Sequence, residues 1–249
     1  MALADPLFGP RDTDADWRAL GQSQPYWGVL SHPDFLTENI TPERIETFYA
    51  SGRDYIAQTV QTLTKLTGEA PSGPALDFGC GVGRLAEAMA DRVPTTGLDI
   101  SPGMLALARA RGGKAAYTDT LPAGPFGWIN SFIVFQHIPP ERGLQILQDL
   151  MARLALGGMI SIQLTAWRGD RHIWAEPTGW RRGLERRRRQ IWARSLPVGQ
   201  ILMYDYDLSK VLRLLNLAGV EEMQLVSTDH DDHHGVIIFG RKTAQPSQS

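Results

Sequence analysis

The segment PALDFGCGVGRL, residues 74–85, constrains the fold more than any other stretch of the chain. A short apolar run ends in Asp77. Glycine then occupies three alternate positions, Gly79, Gly81 and Gly83, before apolar residues resume at helical spacing. Glycine is needed where the backbone takes positive φ, or where a neighbour comes too close for a Cβ. Three of them between a strand and a helix predict a sharp turn. Its backbone N–H groups and helix N-terminus would border a ligand crevice at the carboxyl ends of parallel strands.

The sequence downstream repeats that strand-to-helix alternation. ALDF, TTGLDI, KAAYTD, WINSFIVFQHI and MISIQLT read as strands, the fourth apolar enough to be buried on both faces. Between them GRLAEAMADRV, SPGMLALARARG and PPERGLQILQDLMARLALGG read as helices, the second with Ser101 as N-cap and Gly112 at its end. Such a succession demands a parallel sheet with right-handed crossovers. A last helix, DLSKVLRLLNLAG, precedes two closing strands, EEMQLVST and HGVIIFGRK. The histidines and acids of DHDDHH, which joins them, suggest a polar hairpin tip. Adjacent side chains on a strand face opposite ways, so a metal site is not expected there.

Upstream, Thr41 and Pro42 open a long helix whose Ile45, Phe48, Tyr49, Ile56, Val60 and Leu63 make one apolar face. Gly52 interrupts it and implies close approach by another element. The predicted fold is α/β: a Rossmann-like, seven-stranded sandwich over residues 41–242. Residues 1–40 form an irregular arm or lid with one helical turn, 166–203 an insertion after the fifth strand, and 243–249 a disordered tail. A length of 249 residues and 43% hydrophobic content suit one such domain. The net charge of −2 recruits neither nucleic acid nor membrane. One cysteine, Cys80, excludes a disulfide framework. No apolar run approaches the ~18 residues of a membrane span, and the N-terminus lacks a secretory pattern; a cytoplasmic protein is expected.

Which cofactor the crevice takes follows from charge and spacing. G-x-G-x-G is not the G-x-G-x-x-G of dinucleotide sites, and Asp77 beside the first glycine would repel a pyrophosphate. A carboxylate there suits a ligand with positive charge. Asp99, at the end of the next strand, is placed to accept from two ribose hydroxyls, and Asp119 ends the third strand where an adenine edge would lie. These features describe S-adenosylmethionine. An NAD(P)-dependent oxidoreductase on a doubly wound fold, or a relative that binds the cofactor without turnover, are the competing readings.

ALDFGCGVGRL, TGLDIS, YTDTLP and FIVFQHIPPE, taken in order, resemble the successive motifs of class I S-adenosylmethionine-dependent methyltransferases over roughly residues 70–165. The resemblance, to a bacterial small-molecule type, implies that Asp77, Phe78, Gly79 and Gly81 hold the methionine part. It places Asp99 on the ribose with Ile100 and Met104 near the adenine, Asp119 and Thr120 at the base, and Phe135 and Gln136 beneath the cofactor. The arm resembles the start of one subgroup, in which Tyr26, Trp27 and Arg53 would face cofactor and substrate. The implied reaction moves a methyl group to oxygen or nitrogen of a small molecule or glycan. His137, at the mouth of the fourth strand, is the candidate general base, since imidazole titrates near neutrality; the competing reading is that it only shapes the loop before Pro139 and Pro140. Nine arginines between Arg168 and Arg194, interleaved with Trp167, Trp174, Trp180 and Trp192, read first as a solvated helix whose tryptophans pack inward on the sheet and whose arginines face water. The second reading is a cap over an anionic acceptor, while the acidic net balance weighs against nucleic acid.

Overall fold

A computed structural model describes residues 11–169, 188, 191 and 196–245. Seven strands form one sheet: β1 (Ala75–Phe78), β2 (Thr95–Leu98), β3 (Ala116–Thr118), β4 (Phe126–Ser131), β5 (Leu154–Arg168), β6 (Val220–His230) and β7 (His233–Lys242). Their order is β3-β2-β1-β4-β5-β7-β6, with β1 to β5 parallel and β7 antiparallel to both neighbours. The winding reverses between β1 and β4, which opens a crevice above the carboxyl end of β1. The expected α/β sandwich is therefore present.

Helices cover both faces. On one lie α3 (Pro42–Thr67) and α4 (Arg84–Ala90), where Ile56, Leu63, Leu85 and Met89 pack on Trp128, Met159 and Phe239. On the other lie α6 (Pro140–Ala152) and α7 (Leu208–Leu217), whose Leu147, Leu150, Val211 and Leu215 pack on Ile129, Ile160 and Ile238. A further helix, α5 (Pro102–Arg111), joins β2 to β3 and is capped by Ser101 as predicted. Gly52 is where α3 crosses α4: a Cβ there would collide with the Arg84 carbonyl oxygen.

Several boundaries differ from expectation. The arm is not irregular: α1 (Thr13–Ser23) and α2 (Pro25–Val29) occupy it, followed by two 3-10 turns, Pro33–Phe35 and Thr37–Asn39. The Asp12 carboxylate caps α1 by accepting from the Asp14 and Ala15 N–H groups, a signal present in RDTDADW. The fourth strand stops at Ser131, because Ile133 takes a left-handed φ of 58° and Phe135–His137 form a 3-10 turn. LALGG belongs to β5 rather than to the preceding helix, with a register shift opposite Phe126 and Trp128. The tail's start is not loose: Thr243 and Ala244 both donate backbone N–H groups to the Gly219 carbonyl. The hairpin tip is confirmed, with Asp231 and Asp232 both at positive φ. Among the described residues no helix is long and apolar enough to cross a membrane.

Gly52→Ala should destabilise the protein, because overpacking against backbone costs about 1–3 kcal/mol. That outweighs the ~1 kcal/mol by which alanine is the better helix former. Thermal denaturation should show a lower Tm; a raised Tm would mean that α3 and α4 do not meet as described.

Candidate functional site

At the end of β1 the carboxylate of Asp77 is fixed on one side only. Trp128 Nε1 donates to Ser161 Oγ at 3.0 Å, Ser161 Oγ donates to Asn130 Oδ1 at 2.7 Å, and Asn130 Nδ2 donates to Asp77 Oδ1 at 2.8 Å. The direction is forced, because an indole N–H can only donate. Each later group must therefore pass its proton onward, and the Asn130 amide is locked with its NH2 toward Asp77. The other oxygen, Asp77 Oδ2, is buried and has no hydrogen-bond partner. Asp77 is 2% exposed, and burial pushes its pKa up to about 6 against the pull of Asn130 and the Arg84 charge. A buried, half-satisfied carboxylate fits a ligand that brings a cation or N–H donors.

The turn beyond Asp77 is built for close approach. Gly79, Gly81 and Gly83 all have positive φ. A Cβ on Gly79 would collide with Val134, and one on Gly81 would stand 2.6 Å from Val29 Cγ2 of the arm. Asp99 is tied to the same turn: its Oδ2 accepts from the Gly81 N–H and its Oδ1 from the Ser101 N–H, both at 2.8 Å. Burial raises the Asp99 pKa against those two bonds. Ile100 is half-buried and Met104 fully buried beside it, while Phe78 lies half-buried at the strand's end. Asp119 and Thr120 are exposed, and the Thr120 hydroxyl donates to its neighbour's carboxylate. The structure thus gathers Asp77, the glycine turn, Asp99 and Met104 at one crevice, with Asp119 and Thr120 on its open rim.

The turn after β4 is different in character. His137 is 6% exposed, and both ring nitrogens are engaged. The Leu202 carbonyl can only accept, so His137 Nδ1 carries the proton and donates to it at 2.9 Å. His137 Nε2 then accepts from Gln136 Nε2 at 3.3 Å. Gln136 Oε1 accepts in turn from Gln163 Nε2 and the Thr165 hydroxyl, and Gln163 Oε1 accepts from the Ile133 N–H. A proton added at Nε2 would face another donor. Burial, helped by the nearby His233, pulls the His137 pKa down to about 4 against the opposing pull of the Leu202 bond. The expected open mouth is therefore corrected: His137 is a buried strut, with its ring 4.9 Å from Trp17 of the arm. Phe135 is fully buried, its ring 5.5 Å from Phe78, and Gln136 is buried in the hydrogen-bond chain.

The arm lies across this crevice. Tyr26 meets Phe48 edge-on at 5.2 Å, and Gly28 admits Leu20 and Met104. Trp27 lines a cleft of about 540 Å³ with Leu20, Leu36 and Ile201. Arg53 is not brought to the crevice; it is exposed on α3 and paired with Glu46 at 2.7 Å. The residue facing inward from that stretch is Ser51, which accepts from Arg84 Nη1 at 3.2 Å. Arg84 was not singled out in the sequence, although it follows the last glycine directly. An ion pair of Arg11 and Asp16, nearly buried, ties the arm to Leu196, Pro197 and Gly199, and Arg142 grips Asp14 with two bonds. Most of the arginine- and tryptophan-rich insertion, including 170–187, lies outside the described residues. Among the described residues no cluster of histidine, cysteine and acids could hold a metal.

Residues 75–158, which carry the crevice from β1 to the start of β5, match the family model of the methyltransferase domain. That match covers about a third of the chain and is to the methyltransferase domain as a family. The chain is 29% identical over 146 residues to a trans-aconitate 2-methyltransferase of Sinorhizobium medicae, across 55% of this chain and 49% of that protein. The chain spans about half the length of the curated relatives it matches. Its fold is shared with a magnesium protoporphyrin IX methyltransferase from Synechocystis PCC 6803 crystallised with S-adenosylhomocysteine (TM-score 0.62, 15% identity, 93% of this chain and 100% of that one). It is also shared with the 1,6-didemethyltoxoflavin-N1-methyltransferase of Burkholderia thailandensis (TM-score 0.56, 17% identity, 97% and 94% covered).

The buried strut has a testable signature. The folded pKa of His137 lies below the ordinary ~6.5, so the unfolded chain takes up a proton first as pH falls. Its contribution to stability is complete above pH ~6.5 and is lost down to about 4, by up to ~3 kcal/mol. Urea unfolding of His137→Leu should show a lower stability near pH 7 and a flatter pH dependence across that window. An unchanged slope would contradict the burial of a neutral ring.

Proposed function

We propose that the chain is an S-adenosylmethionine-dependent methyltransferase acting on a small, anionic molecule. The observation that carries the cofactor is Asp77 Oδ2, an unpaired anionic atom locked in place beside a glycine-rich turn. Asp77 would hold the ammonium end of the methionine part, with the Gly79 and Gly81 backbone alongside. Asp99 would accept from the ribose hydroxyls, using lone pairs that Gly81 and Ser101 leave over. Ile100 and Met104 would flank the base, with Asp119 and Thr120 at its polar edge.

When bound, the cofactor supplies an activated methyl group, so the chain's own contribution is positioning and exclusion of water. Holding two reactants in near-attack geometry can supply roughly 7–11 kcal/mol. The arm serves that purpose: Val29 lies on Gly81, Trp17 on His137, and Tyr26 on Phe48. His137 is assigned to holding the turn rather than to proton transfer, since its Nε2 lone pair is already taken by Gln136. An anionic acceptor is supported by the relatives, which are trans-aconitate methyltransferases.

Calorimetric titration of the full chain with S-adenosylmethionine should show binding, and Asp99→Ala should weaken it at least about tenfold, the worth of one charge-assisted hydrogen bond or more. Tight NAD binding with none of S-adenosylmethionine would overturn the reading in favour of an oxidoreductase. With a radiolabelled methyl group on the cofactor, label should move to trans-aconitate or to another small acid of a cell extract. Label that is recovered only in macromolecules would refute a small acceptor.

A further inference from the structure

Polar atoms that are buried without a partner are rare in folded proteins, and a group of them marks a place where something else is meant to bind. Among the described residues, five such atoms belong to one face of the sheet: Tyr55 Oη, Asp77 Oδ2, Arg84 Nε, Thr228 Oγ1 and His230 Nε2. The strand register shows the shared face. Asp77 is level with Asn130, Asn130 with Ser161, Ser161 with Phe239 and Phe239 with Gln224; Thr228 and His230 follow Gln224 by even steps along β6. Tyr55 on α3 and Arg84 on α4 come down on that face. Of the remaining orphans, Ser131 Oγ lies on the opposite face, and Arg168 and Asp205 are joined as an ion pair at 2.9 Å.

Phe132 connects the two ends of this line. Its ring is 4.1 Å from that of Tyr55, beside Asp77 and Arg84, and meets the His230 ring edge-on at 5.9 Å. An apolar wall thus runs from the side of Asp77 to the His230 ring on β6, and Thr228 precedes His230 by two residues on the same face. Neither the arm residues nor His137 take part in it.

We propose that this face, between α3 and the carboxyl ends of β4 and β6, holds the methyl acceptor, and that Thr228 and His230 recognise it. Their chemistry points to an oxygen-rich molecule bearing carboxyl or hydroxyl groups. The Thr228 hydroxyl can donate, and the imidazole can donate or accept, so oxygen atoms satisfy both. The body of the acceptor lies along Phe132, with its reacting oxygen at the Asp77 end. This assignment rests on the methyltransferase reading above and gives that reading its acceptor-binding residues.

The test uses Thr228→Val and His230→Phe in the full chain. Groups kept for a ligand add nothing to the free fold, so both variants should keep or raise the Tm, and both should bind S-adenosylmethionine within about twofold of the wild type. The kcat/KM for methyl transfer to trans-aconitate, or to whichever small acid takes the label, should fall at least tenfold. A Tm lowered by several degrees in both variants would make these groups structural and overturn the proposal. A tenfold loss of cofactor affinity, or an unchanged kcat/KM, would overturn it equally. If the wild type does not bind S-adenosylmethionine, the methyltransferase reading falls, while the Tm comparison still decides whether the β6 groups face a ligand.

Discussion

The rest of the site depends on a hydrogen-bond relay with a fixed direction, from Trp128 through Ser161 and Asn130 to Asp77. It spans β4, β5 and β1 inside the sheet, so the carboxylate is held by strands and not by a loop. The relay satisfies one oxygen and leaves the other bare in a place that water does not reach. A buried charge so placed is expensive for the free protein, and that cost is what a cationic ligand would relieve. The glycine turn, the Asp99 tether and the arm are arranged around this one unbalanced group.

A second relay, from Thr165 and Gln163 through Gln136 and His137 to Leu202, plays the opposite part. There donors and acceptors are matched along the chain, and the result is a rigid turn over the strand ends. The contrast separates the two buried titratable groups. His137 is satisfied and neutral, which suits support. Asp77 is half-satisfied and anionic at neutral pH, which suits binding.

Much of this was legible in the sequence. The alternation of short apolar runs with capped helices gave the sheet order its logic, and Ser101, Gly112 and Thr41 mark helix ends where the structure has them. The glycine turn, Asp77 and Asp99 could be placed because spacing along a strand-turn-helix is a local property. What failed was non-local. A histidine at a strand's end reads as an open base, and only tertiary structure reveals that Leu202, 65 residues away, closes its ring. Likewise Thr228 and His230 are ordinary residues of a polar strand until the register brings them to the face of Asp77. The arm was misread for a simpler reason: its prolines, glycines and aromatics hide a helix that is capped by Asp12 and fitted to α5 through Gly21 and Gly103.

The carboxyl carbon of Asp77, followed by NMR through a pH titration, tests the central claim most directly. In the free protein it should titrate near 6, as burial without a second partner requires. With saturating S-adenosylmethionine its pKa should drop by at least about one unit, because a cation at Oδ2 favours the ionised form. A pKa that stays put or climbs on binding would mean that the cofactor does not meet this carboxylate.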